Sequence, residues 1–306
     1  MKQLTLTIDG KSITVPEGTT LRAATELLGI ETPTLCWAEN LTPVNVCRVC
    51  VVEVEGARTL VPACSRPAEE GMVVHTDSER VRLSRKLVLE LLASSVDMSL
   101  AEVFAKNAER YGAKPGRFGP QAAPAKTGER EHAKAGHHHA PDGAHASTVA
   151  QPLKRDNELF LRDYGKCMLC MKCVEACGSD AQNTFAIAVA GRGFEARIST
   201  ELDVSLPDSA CVFCGNCVGV CPTGALMFTA EHDVRASGKW DESKQIVTDT
   251  ICSYCGVGCT LTLRVQDNKI LRVTSPSDHS VTGGHLCVKG RFGWKFVEGD
   301  GTGSDT

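Results

Sequence analysis

The chain has 306 residues, of which 42% are hydrophobic, 5% aromatic and 23% charged; 33 basic and 37 acidic side chains leave a net charge of −4. Balanced charge excludes a basic surface for nucleic acid or an anionic membrane, and no apolar run reaches the roughly 18–20 residues that span a bilayer. The opening MKQLTLTIDG has neither the basic end nor the apolar core of a signal peptide, so the 16 cysteines point to a cytoplasmic, metal-ligating protein rather than to a disulfide scaffold.

In chain order, Leu4, Leu6 and Ile8 alternate and Ile13 and Val15 return after Asp9-Gly10, the pattern of a β-hairpin closed by a type I′ turn. Leu21, Ala24, Leu27 and Leu28 recur at helical spacing up to Gly29, predicting a short helix over 20–28. Strands at 51–54 and 72–75 complete a small α+β domain over 1–78, with Cys36 to Cys50 in an irregular loop. A helical segment at 79–111 follows. Its first helix, 79–94, is expected to bury Leu83, Leu87, Leu91 and Leu92 behind a capping box made by Thr76 and Glu79; a weaker helix covers 99–110.

From 112 to 150 the composition changes: of 39 residues, 10 are Ala, 6 Gly and 4 Pro, and none is Leu or Ile. Such a stretch cannot bury enough apolar surface to offset its ordering entropy and is expected to be a disordered linker. An internal repeat occupies 151–232, with a hairpin expected between its halves from Phe185–Val189 and Phe194–Ile198. Alternating Leu261, Leu263, Val265 and Ile270, Leu271, Val273 around Asp267-Asn268 make 246–297 β-rich. The polar residues 298–306 read as a flexible tail.

All the cysteines sort into four groups of four. Cys36, Cys47, Cys50 and Cys64 are spaced C-x10-C-x2-C-x13-C; Cys167, Cys170, Cys173 and Cys177 are spaced C-x2-C-x2-C-x3-C. Cys211, Cys214, Cys217 and Cys221 repeat that spacing before Pro222, and Cys252, Cys255, Cys259 and Cys287 close the chain. The close C-x2-C-x2-C loop lets three thiolates wrap one face of a [4Fe–4S] cube, and in two-cluster ferredoxins the fourth cysteine of each run serves the other cube. One cube is therefore expected on Cys167, Cys170, Cys173 and Cys221, and another on Cys211, Cys214, Cys217 and Cys177. The first group fits a [2Fe–2S] cluster, although its first gap is ten residues rather than the plant-type four; the last fits a third cube. Zinc held by paired C-x2-C motifs is the alternative, most open for the first and last groups.

These spacings, with RDYGKCMLCMKCVEAC at 162–177 and DSACVFCGNCVGVCPTGAL at 208–226, resemble the large iron–sulfur subunit of respiratory complex I, the diaphorase-side subunits of NAD-linked hydrogenases and the front half of NAD-dependent formate dehydrogenases. ICSYCGVGC at 251–259 and GGHLCVKGRFGWKFV at 283–297 look most like the molybdenum or tungsten formate dehydrogenases. The resemblance implies a β-grasp [2Fe–2S] domain, a bacterial-type two-cluster domain and a small β-rich domain like the first domain of molybdopterin oxidoreductases. It further implies a relay subunit passing electrons between a catalytic metal partner (Mo/W-pterin, or nickel–iron) and a flavin/NAD-binding partner, with molybdopterin, FMN and NAD on those partners only. Two departures stand out. No cysteine lies between Cys64 and Cys167, so the family's additional cluster on a His-x3-Cys-x2-Cys-x5-Cys motif has no ligands. Nineteen residues follow Cys287 where the family's catalytic subunits continue for several hundred, so no metal pocket is expected.

Lys289 matches a family lysine between cube and pterin; the resemblance implies a pterin contact, and the alternative is a solvated charge beside the cluster. The tract His132, His137, His138, His139 and His145 suits a solvated linker better than a metal site, having no rigid frame. His279 and His285 are either surface residues or hydrogen-bond donors to the fourth cluster. Trp37 either shields the first cluster or covers a small core. Gly191-Arg192-Gly193 and Gly256-Val257-Gly258 lack the strand-to-helix setting of nucleotide loops. No nucleophile or acid–base pair stands out, and no catalytic residue is assigned.

Overall fold

The computed structural model describes residues 2–119, 136–138 and 148–298. They divide into two compact units: residues 2–37, 43–119, 137–138 and 148–149 in the first, and residues 38–42, 136 and 150–298 in the second.

In the first unit, β1 (Gln3–Ile8) and β2 (Lys11–Pro16) pair antiparallel. Asp9 and Gly10 at their turn have φ of 47° and 79°, the two positive values that a type I′ turn requires. Helix α1 (Leu21–Leu27) starts at Thr20, whose side chain accepts from Ala23 N–H, and stops before Gly29 at φ 72°. Strands β3 (Val51–Val54), β4 (Val61–Pro62) and β5 (Val73–His75) complete a sheet of order β2-β1-β5-β3-β4, in which β1 and β5 run parallel. Leu21 and Ala24 of α1 pack with Leu6, Ile8, Val52 and Val74 of the sheet.

Helix α2 (Glu79–Ser95) departs from its sequence reading twice. Its cap is Ser78, whose hydroxyl accepts from Val81 N–H at 3.3 Å, because both polar groups of Thr76 are taken by the Asp9 carboxylate at 2.5 and 2.8 Å. Its buried stripe is Val81, Arg85, Leu89 and Ala93, while Leu83 and Leu91 are 53% and 45% exposed. The stripe is legible only once two buried charges are accepted. Arg85 donates to Tyr111 Oη and Val51 O, and the Glu90 carboxylate accepts from Lys114 N–H and the Arg117 guanidinium. Those last bonds, with Ser94 Oγ to Pro115 O, hold residues 112–119, where the sequence suggested that disorder begins. Helix α3 (Glu102–Arg110) follows α2. Strands β6 (Gly136–His138) and β7 (Thr148–Ala150) pair; the other histidines of the tract lie outside the described residues.

The second unit begins with β8 (Leu153–Lys154) and β9 (Phe160–Asp163), then α4 (Lys172–Cys177). Strands β10 (Ala188–Ala190) and β11 (Arg197–Ser199) form the expected hairpin, shorter and later than the hydrophobic pattern suggested. Helix α5 (Asn216–Gly219), β12 (Leu226–Phe228) and α6 (Thr229–Ala236) follow, and β12, β9 and β8 make one antiparallel sheet. A meander of β13 (Ile246–Ile251), β14 (Thr260–Gln266) and β15 (Lys269–Thr274) leads to α7 (Val288–Phe292) and α8 (Lys295–Glu298). Phe292 of α7 stacks on Phe160 at 6.0 Å and meets Phe228 at 5.5 Å, so the end of the meander module is anchored in the core of the module before it.

The reassigned face of α2 sets a test. Leu89→Ala, at a fully buried site, is expected to cost about 2–5 kcal/mol of the first unit's stability in urea unfolding. Leu83→Ala and Leu91→Ala are expected to stay within about 0.5 kcal/mol; equal losses at all three would refute the assignment.

Candidate functional site

The first group of cysteines is buried throughout, each residue 8% exposed or less. It resolves into two pairs. Cys36 and Cys47 share a hydrogen bond that pushes the first thiol up and the second down to about 6. Cys50 and Cys64 approach to 3.4 Å, with Cys50 pushed down and Cys64 up by the same kind of bond. Asn45, at φ 65°, sets its amide 3.2 Å from Cys64 Sγ. Trp37 carries the Arg22 guanidinium over its ring at 3.4 Å.

The repeat in the second unit is a repeat of backbone as well as of sequence. After Cys167, Leu169 and Met171 take φ of 55° and 64°; at the matching places after Cys211, Phe213 and Gly215 take 55° and 70°. Left-handed turns at these offsets aim backbone N–H groups at sulfur: Leu169 N–H reaches Cys167 Sγ and Phe213 N–H reaches Cys211 Sγ, both at 3.4 Å. For a residue with a side chain each such turn costs about 1–2 kcal/mol, a strain that structures retain where a site requires it. Helices α4 and α5 then start at equivalent positions, placing Cys173 and Cys217 in their first turns.

The fourth cysteine of each run acts on thiols of the other. The Cys167 thiol is pushed up to about 12, first by burial and then by Cys221 and Cys170. Cys173 is raised by burial and then by Cys167, Cys170 and Cys221 among its neighbours. Cys211 is raised by burial and by Cys177 and Cys214; Cys214 and Cys217 are likewise raised by burial and feel Cys177. A pocket lies among Cys177, Cys211, Cys214 and Cys217, walled by Phe160, Ile187, Leu206 and Arg162. Leu226 N–H points at Cys221 Sγ at 3.4 Å.

In the last group, Cys252 is buried, Cys259 intermediate, and Cys255 and Cys287 exposed. Cys259 is pushed up by burial and then by Cys252, Cys255 and Cys287. Lys289 is exposed, its Nζ 6.0 Å from the centroid of the Tyr254 ring. His279 turns Nδ1 to the N–H groups of Val281 and Thr282, within its own loop. Burial pushes the His285 ring down.

Two arginines were missed by sequence reasoning. Arg162 and Arg291 are each 1% exposed. Nothing in hydropathy marks a buried guanidinium; the available signal was proximity, five residues before Cys167 and four after Cys287. Burial pushes Arg291 down to about 10, against the pull of Cys214, Cys217 and Cys287, so it stays charged at neutral pH.

Three family models match: a 2Fe–2S iron–sulfur cluster binding domain over residues 1–79, a 4Fe–4S dicluster domain over 166–225 and a molybdopterin oxidoreductase Fe4S4 domain over 246–299. The chain thus carries the iron–sulfur domains found in electron-transferring oxidoreductases. Its relatives include an NADH-quinone oxidoreductase subunit from Rhizobium meliloti, 34% identical over 96% of this chain and 31% of the relative. They also include the NADP-reducing hydrogenase subunit HndD of Solidesulfovibrio fructosivorans, 38% identical over 76% of this chain and 37% of the relative. A crystal structure of an NAD+-reducing [NiFe]-hydrogenase in the H2-reduced state matches with a TM-score of 0.58 and 27% identity, covering 74% of this chain and 88% of that one. The chain thus spans about a third of the length of these curated relatives.

Gly215 tests the loop geometry. It is left-handed, and a Cβ there would collide with the Arg291 side chain and come within 2.7 Å of the Phe292 ring. Gly215→Ala is expected to destabilise the second unit by at least about 1–3 kcal/mol in thermal unfolding; an unchanged midpoint would contradict the packing.

Proposed function

We propose that this chain is an electron relay with one [2Fe–2S] cluster on Cys36, Cys47, Cys50 and Cys64 and three [4Fe–4S] clusters. The cubes sit on Cys167, Cys170, Cys173 and Cys221; on Cys177, Cys211, Cys214 and Cys217; and on Cys252, Cys255, Cys259 and Cys287. The observation that carries the reading is the crossing of Cys177 and Cys221 between two C-x2-C-x2-C runs, which ferredoxin-type dicluster proteins need. The residues fit the groups: paired thiols in the first set suit a two-iron body, and the walled space between four sulfurs suits a cube. Clusters of this kind supply one-electron steps; hydrogen bonds to sulfur, burial and nearby charge set their potentials. The proposed order of modules is β-grasp [2Fe–2S] unit, helical segment, linker, two-cluster unit and molybdopterin-oxidoreductase-type Fe4S4 unit; the domain matches support the three iron–sulfur units.

The proposal continues to the assembly. The chain serves a multi-subunit formate dehydrogenase-like oxidoreductase, passing electrons between a partner's Mo/W-pterin site and a flavin/NAD partner. The Fe4S4 match at 246–299 supports the pterin end, as do the exposed Cys255, Cys287 and Lys289, with Lys289 the residue placed to meet a pterin. A second reading, a relay of an NAD-linked hydrogenase or complex I-like enzyme, draws on the hydrogenase structure and the relatives named above. The metal that co-purifies with the native complex, Mo or W against Ni, separates them. Among the described residues no helix is long and apolar enough to cross a membrane.

Anaerobically purified protein is expected to contain about 14 iron and 14 sulfide per chain, from one two-iron and three four-iron clusters; zinc in place of iron would remove the relay. Cys177→Ala is expected to extinguish the same paramagnetic signal as Cys214→Ala, and Cys221→Ala the signal lost with Cys170→Ala. Grouping by run instead would overturn the crossing. Chelating the iron is expected to abolish amide protection over residues 160–228, because ligation contributes folding free energy in small metal domains.

A further inference from the structure

Arg291 is the one strongly buried cation described in the meander module, and it does not stay there. Its guanidinium passes into the loop of the preceding module: Nε donates to Cys214 O at 2.9 Å and Nη2 to Asn216 Oδ1 at 2.9 Å, while Nη1 donates to Val273 O at 3.2 Å. Asn216 Oδ1 also accepts from Leu286 N–H at 2.9 Å. The slot is cut to size by two glycines. A Cβ on Gly215 would strike the Arg291 stem, and one on Gly219 would lie 3.1 Å from Nη1. All three acceptors are neutral. A buried charge without an opposite charge is costly, and the groups that favour this one's charged form are the sulfurs of Cys214, Cys217 and Cys287.

Arg162 approaches the same four sulfurs from another side. It lines the cavity among Cys177, Cys211, Cys214 and Cys217, and its charge acts on Cys211. One end pairs with Asp156, while Nε and Nη1 are buried without a hydrogen-bond partner. The pair is therefore not a closed one. Unmet N–H groups lie on a side chain that walls a sulfur-lined space.

We infer that Arg291 and Arg162 are positioning residues that hold the centre of Cys177, Cys211, Cys214 and Cys217 ready for reduction by keeping two fixed positive charges against it. Reduction adds one electron to an already anionic body, with no bond made or broken and no proton moved. A buried cation beside the body therefore favours the reduced form. The groups acting on Cys167 and Cys173 are, besides burial and a backbone bond, other cysteines, so these arginines are expected to weigh less on the neighbouring centre.

The inference rests on the cluster assignment proposed above, and the experiment keeps the two apart. The full chain, purified anaerobically, is titrated with dithionite and followed by paramagnetic resonance, with iron and sulfide measured on each sample. In Arg291→Gln and in Arg162→Gln the largest change is expected on one and the same signal. Its reduced-to-oxidised ratio at a fixed potential should fall at least about tenfold, equivalent to 59 mV for a one-electron couple. Arg291→Lys, which keeps the charge, is expected to stay near the wild-type ratio. A smaller drop in a second signal is expected for Arg291→Gln alone, through Cys287. Should Arg291→Gln lose iron, Arg162→Gln decides by the same reading. Iron-replete variants with unmoved signals, different signals moving in the two variants, or a Lys variant falling as far as the Gln variant would each overturn the inference. Wild-type protein without iron or signals would instead overturn the cluster assignment itself.

Discussion

Sulfur takes the place of carbon in much of the second unit's interior. Cys173 is buried with Phe160, Tyr164, Ile187 and Leu226, and Cys167, Cys177, Cys211, Cys217 and Cys221 pack against the same cluster. Thiols so close together cannot all ionise in a dry setting, and burial pushes those of Cys167, Cys173, Cys211 and Cys217 up. The arrangement becomes favourable only when a cation-rich body takes the protons' place, as thiolate ligation to metal does. Chain geometry follows from that demand: left-handed turns at Leu169, Met171, Phe213 and Gly215, N–H groups turned to sulfur, short helices that deliver one ligand each.

The two cysteine runs show how a duplicated motif becomes a pseudo-symmetric structure. Equal spacing gives equal φ at equal offsets, and equal φ gives the same N–H to Sγ bond at the same 3.4 Å. The symmetry is incomplete where it meets a neighbour. At the place where the first run has Met171, the second has Gly215, and the missing side chain is the space through which Arg291 and Phe292 enter.

This division also explains what could be read from the amino acids alone. The grouping of the cysteines was legible because ligand spacing is a local property, and the opening hairpin because Asp-Gly admits few turns. The inward face of α2 was not legible. Hydrophobic periodicity assumes that the inward face is apolar, and here Arg85 and Glu90 occupy it by finding Tyr111, Val51, Lys114 and Arg117, partners far away in sequence. The Thr76 cap failed for a similar reason, since Asp9, 67 residues earlier, claims both its groups. Strand β13 escaped notice because all six of its residues are exposed, leaving no alternation to detect.

Helix α7 is barely more than one turn, yet it begins on Cys287 and ends with Arg291 and Phe292 sunk in the adjoining module. Modular proteins are often pictured as beads that can be restrung, with junctions wherever the string is thin. The thin stretch here, residues 237–245, is not such a junction. Severing it would leave the last bead with a naked guanidinium and a stranded ring, and its neighbour with an empty socket beside its metal loop. The two have the logic of a tenon in a mortise, and would have to be transplanted together.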